Sequence, residues 1–172
     1  MISERHPLRQ LFQEVVAGCY ASDGIQDPGL TSYVGNLLTE FTATDKLYRI
    51  RNAEGKPVKE IQEMVAAADP VFGAASSFDE EREVRRHIGD YALFATGMYP
   101  ESMQLWRHSG ESSFFEMVRT GKERYYIVSQ FDLFEYQKEA PLFARLSDEF
   151  ERCMHGLTRV REELQRIGKL AF

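Results

Sequence analysis

His87, Tyr91 and Asp132 are the side chains in this 172-residue chain whose types and placement best suit a chemical site. At 3.6 residues per turn, His87 falls on the helical face shared by Val84, Ile88, Tyr91 and Ala95. An imidazole on an apolar face needs partners for its ring nitrogens. Asp132 projects to the same face as Val118, Tyr125 and Val128, which makes it a candidate companion. Brought together in a bundle, imidazole, phenol and carboxylate would have burial-shifted pKa values suited to ligand binding or acid–base work. A histidine that simply bonds a carbonyl or an acidic neighbour in the core explains the same pattern without chemistry, and is the favoured account of His87.

Trp106, Arg107 and His108 form a second candidate ligand site, because stacking and charge-assisted hydrogen bonds hold anions and planar molecules. The favoured reading there is that the only tryptophan plugs one end of the bundle while Arg107 and His108 meet water. Metal chemistry is less well supplied. Di-metal bundles use Glu-x-x-His pairs, and the chain has none; Glu83 with His87 and Glu151 with His155 are spaced by four instead. His155 projects to the polar side of its helix, so no metal site is expected. Glu60 with Glu63, Glu80 with Glu83, and Asp148 with Glu151 have the spacing that helical phosphohydrolases use to gather Mg²⁺. That spacing also arises readily in helices from a chain with 28% charged residues, and Glu80 reads better as a capping residue. No phosphate-binding Gly-rich loop, dinucleotide fingerprint, Gly-x-Ser-x-Gly elbow or His-Glu-x-x-His helix is found, and no cofactor is expected.

The elements that would position these residues are all helical. In 77–100, Ser77 followed by Glu80 is a capping box, Asp79, Glu80 and Glu81 suit the positive end of the helix dipole, and Pro100 ends the run. Leu8, Leu11, Phe12, Val15, Val16, Cys19 and Tyr20 mark a helix that starts at Pro7. Asp27 and Pro28 open another, striped by Leu30, Tyr33, Val34, Leu37, Leu38 and Phe41. Within 44–58 Leu47 and Ile50 fit a turn of helix, favoured over a small hairpin closed by Asn52 to Gly55, and a short helix over 57–68 and a further turn over 101–108 complete the first two thirds.

After a cap at Ser112 or Ser113 the apolar phase shifts. Phe114, Val118, Tyr125 and Val128 share one face, and Ile127, Phe131 and Phe134 lie nearly opposite. Either Gly121 ends one helix, or a continuous helix is apolar on two sides. The stripe from Leu142 to Ile167 predicts a long C-terminal helix over 141–168. Strand-like alternation is nearly absent, so the expected fold is all-α: one domain over 1–172, a bundle of about six or seven helices.

Composition narrows the class of function. With 27 acidic against 21 basic residues the formal net charge is −6, and neither sign forms a long block, which argues against nonspecific nucleic-acid binding. No segment approaches the roughly 20 apolar residues of a membrane span. Charges within the first 16 residues exclude a secretory signal there, so a cytoplasmic location is expected, and Cys19 and Cys153 read as buried free thiols.

The segments HIGDYALFATGMYPES, TGKERYYIVSQF and KEAPLFARLSDEFE resemble a family of bacterial all-helical proteins to which no activity is assigned. The resemblance covers most of the chain from about Tyr33 and implies a bacterial source and a helical fold. It implies no cofactor or site residue. The leading functional expectation is therefore a non-enzymatic interaction module, acting as a homodimer or with a partner protein through Ile127, Phe131 and Phe134. The alternative is a ligand-binding or enzymatic bundle with its site near His87, and after it a divalent-metal phosphohydrolase.

Overall fold

The computed structural model describes residues 7–41, 77–100 and 113–168. These form α1 (Pro7–Ser22), α2 (Pro28–Phe41), α3 (Phe78–Met98), α4 (Ser113–Ser129), a 3-10 turn (Phe134–Tyr136), α5 (Ala140–Asp148) and α6 (Phe150–Arg166). The fold is all-α, with no strand among the described residues. The elements expected within 44–68 and 101–108 lie outside the described residues.

Local chemistry sets the helix ends. Ser77 is extended (φ −150°, ψ 167°) and its Oγ accepts the Glu80 N–H at 3.2 Å, satisfying one of the donors that a helix start leaves open. At the other end of α3, the Tyr99 N–H closes on the Ala95 carbonyl just before Pro100. Asp27 Oδ1 accepts the Leu30 N–H at 3.1 Å at the start of α2. That carboxylate also takes the Arg145 Nε–H at 2.5 Å, tying α2 to α5.

The helices then pair. Arg9 Nη2 on Glu40 Oε1 at 3.0 Å and Gln13 Nε2 on the Ser32 carbonyl at 3.0 Å hold α1 antiparallel to α2. In the antiparallel pair α3 and α4, glycines stand at the contacts. A Cβ on Gly89 would lie 2.7 Å from the Tyr125 ring, and one on Gly121 would lie 2.6 Å from the Phe150 ring and 2.9 Å from Ala92 Cβ. Of the two readings of Gly121, the continuous helix is the one that forms: α4 runs straight through it, and the missing side chain lets Phe150 and Ala92 approach.

The core draws Phe12, Leu30, Ile88, Tyr125, Phe143 and Phe150, among others, from all six described helices. Complete burial of such a side chain stabilises the fold by about 1.5–3 kcal/mol. On its far side α6 closes the end of α3, where Thr158 Oγ1 donates to the Gly97 carbonyl at 2.9 Å and Arg161 Nη1 to the Met98 carbonyl at 3.0 Å.

Three expectations are corrected. The helix expected over 141–168 is divided at Glu149 (φ −101°, ψ 18°) into α5 and the 17-residue α6. The hydrogen bonds across the division persist, Glu149 N–H to Arg145 and Cys153 N–H to the Glu149 carbonyl, so the chain bends without opening a loop. The bend lets Phe143 meet Tyr33 and Tyr125 while Phe150 reaches Gly121. In addition, α4 stops at Ser129, so Asp132 is not on a helical face with Val118, Tyr125 and Val128. For the same reason Ile127, Phe131 and Phe134 do not form one helical stripe: the first is on α4, the second in the following connection and the third in the 3-10 turn. No described helix is long and apolar enough to cross a membrane.

Candidate functional site

Asp90 is the only charged residue in the run 88–98, which is otherwise buried. Its Oδ1 accepts two phenol protons, from Tyr33 at 2.6 Å and from Tyr125 at 2.7 Å. One carboxyl group thereby joins α2, α3 and α4. Burial foremost, and then the Asp90 charge, push both phenols well above the ordinary tyrosine range. Beside them Arg86 bonds Glu83 Oε2 at 2.7 Å; burial opposes its charge, but Tyr33, Asp90 and Glu83 outweigh it and hold the guanidinium protonated. Phenols of this kind donate hydrogen bonds and do not shuttle protons near neutral pH. The node is a cross-link between helices.

A second polar assembly shapes the surface. Arg82 is buried, with its guanidinium carbon 4.0 Å from the centre of the Tyr136 ring and 5.4 Å from that of Phe143. Its Nη2 meets Glu139 Oε2 at 2.7 Å. The Tyr136 hydroxyl donates to Asp79 in the first turn of α3. Residues 131–139 are thus strapped to the start of α3 by stacking, an ion pair and a hydrogen bond, and the Phe131 ring adds an edge contact to Phe78 at 6.3 Å.

What the straps present to solvent is apolar. Phe134 is 91% exposed, Phe78 78% and Leu133 68%. Phe134 has φ +55°, the left-handed region that a bulky L residue seldom occupies. Exposed charges neighbour these residues in the chain: Asp79 and Glu80 follow Phe78, Asp132 and Glu135 flank Leu133 and Phe134, and Lys138 and Glu139 come after. A separate shallow groove of about 530 Å³ on α4, between Phe115 and Tyr126, holds Arg119 and the Lys122–Glu151 ion pair (2.7 Å).

The residues singled out from sequence are dispersed. His87 and Tyr91 are both buried on α3, one turn apart, and the His87 ring lies edge-on to Phe41 with centroids 5.5 Å apart. Asp132 is exposed in the connection after α4 and does not join them. Its neighbour Phe131 packs on Phe78, nine residues from His87 and so about 13.5 Å away along the axis of α3. Trp106, Arg107 and His108 lie outside the described residues. Ile127 and Phe131 are half-buried, and Phe134 is the exposed member of the expected interface.

Sequence reasoning missed Asp90 and Arg82. The signal for Asp90 was available, since a lone carboxylate inside an apolar helical run has to find donors. Arg82 gave no comparable signal, because its stacking partners come from a connection whose path periodicity does not specify.

The remaining reactive groups are quiet. Cys153 is buried and free, and burial pushes its thiol up to about 12; Cys19 is half-buried and raised in the same direction, also chiefly by burial. His155 is exposed, and among the described residues no three His, Cys, Asp or Glu side chains are grouped so as to hold a metal ion. Comparison with family models, curated proteins and solved structures finds no match to this chain.

Proposed function

We propose that the chain is a helical protein-interaction module whose contact element is the knuckle of Phe78, Leu133 and Phe134. The observation that carries this reading is Phe134 itself, a phenylalanine 91% exposed on left-handed backbone. That conformation costs an L residue roughly 1–2 kcal/mol, and an exposed ring recovers almost none of it within the monomer. The position makes sense where the ring is buried by something else. The Arg82 stack and the Tyr136–Asp79 bond support the same reading, because a connection already held in place loses little conformational freedom on association. The polar node at Asp90 cross-links α2, α3 and α4, which favours this reading over acid–base chemistry near His87.

The test is a photo-crosslinking phenylalanine analogue at position 134, compared with the same analogue at exposed Glu162 on α6, in the cell that makes the protein. Position 134 should give a discrete adduct and position 162 should not; equal, weak labelling at both would end the proposal. Phe134→Gly is the matched loss-of-contact variant. It should abolish association while stability stays level or rises by up to about 1 kcal/mol in urea unfolding, since glycine accepts φ +55° without strain.

A further inference from the structure

Resting on that reading, the knuckle's charge specifies what it takes. Two exposed phenylalanines and a leucine present roughly 400 Å² of apolar surface, with aromatic side chains contributing about 150–250 Å² each. Stable association of two folded proteins buries about 800 Å² on each partner, roughly 56–58% of it apolar, so the patch is large enough to anchor a partner and its rim decides which one. The rim disfavours a second copy. Asp132 and Glu135 flank Leu133 and Phe134 in the chain, and Asp79 and Glu80 follow Phe78, with Lys138 the one cation in the exposed rim described here. Two such rims facing one another would set carboxylates against carboxylates, whereas a basic partner meets them favourably.

We infer that the knuckle receives a short amphipathic segment of a partner protein, its apolar face on Phe78, Leu133 and Phe134 and its lysines or arginines against Asp132 and Glu135. An aromatic tip with an acidic collar selects sign as well as hydrophobicity, and association falls as salt screens the collar.

The test uses the full chain and two fluorescent probes, an amphipathic helical Leu/Lys 14-mer and its Leu/Glu counterpart. The expected result is at least tenfold tighter binding of the Leu/Lys probe, weakened severalfold in 0.5 M salt and weakened at least tenfold by Phe134→Gly. The exposed pair Asp132→Lys and Glu135→Lys should reverse the preference toward the Leu/Glu probe with helical circular dichroism unchanged. Equal binding of both probes, binding of neither, or Leu/Lys binding indifferent to Phe134→Gly would each overturn the inference. So would a dimer in light scattering that Phe134→Gly dissolves, since a second copy would then be the occupant. Crosslinking at position 134 without sign selectivity would end this inference and leave the interaction module standing; absence of crosslinking would end both.

Discussion

Asp90 does at the scale of one residue what no single apolar contact does, since its carboxylate fixes two phenols from different helices in register. A hydrogen bond to a charged group contributes about 1.5–3 kcal/mol, so Tyr33→Phe and Tyr125→Phe should each destabilise the fold by that amount in urea. The double variant should cost more than the sum, because each single loss leaves Asp90 Oδ1 the other phenol and the double loss takes both from one charged oxygen. Strict additivity in that cycle would mean the two bonds are independent and the node is not a unit. Arg82 works by a different means. Its charge sits against two rings, where a guanidinium is more easily desolvated than an ammonium, and that allows it to be buried beside the exposed Glu139.

At the scale of elements, glycine in a helix has opposite meanings at different places. Gly18 in α1 has nothing within 4 Å of where a Cβ would stand, so Gly18→Ala should raise stability by about 0.5–1 kcal/mol through helix propensity alone. Gly121 in α4 is pressed between the Phe150 ring and Ala92, and Gly121→Ala should lower stability by about 1–3 kcal/mol despite the same propensity gain. Chemical unfolding of the two variants checks both signs, and a stabilised Gly121→Ala would mean that α3, α4 and α6 are less tightly packed than described. Helix identity was legible from the stripes of α1, α2 and α3, whose caps at Asp27 and Ser77 are local chemistry. The end of α4 was not. Nothing near Ser129 breaks a helix; the chain leaves because Phe131 and Tyr136 gain contacts on Phe78 and Arg82, residues about 50 positions earlier. The bend at Glu149 has the same origin: Phe143 and Phe150 both pack on Tyr125, and from there the first also meets Tyr33 and the second Gly121.

Over the whole molecule, the phenols packed in and against the core couple alkaline pH to unfolding. Tyr20, which donates to the Cys153 carbonyl at 2.8 Å, and Tyr33 and Tyr125 all have folded-state pKa values well above the ordinary tyrosine value of about 10, each chiefly through burial. The native state therefore favours the neutral phenol. The stabilisation is complete below about pH 10 and is lost as pH rises toward the folded values, because the unfolded chain releases these protons first. Tyr136, half-buried in the surface strap and raised to about 12 mainly by its bond to Asp79, lies outside the core and should titrate without loss of fold. Phenolate absorbance of buried Tyr20 and Tyr125 and of half-buried Tyr33 should thus rise together with loss of helical circular dichroism, and their smooth titration in a still-helical protein would contradict the cross-linked core. Taken alone, the sequence determined the all-α class, the α1 and α2 stripes and the capped start of α3, because periodicity and capping act within a few residues. Which carboxylate meets the tyrosines, where α4 ends, and which of Ile127, Phe131 and Phe134 reaches solvent were decided only by tertiary structure. Each of these depends on a neighbour brought near by packing, a pairing that local sequence does not encode.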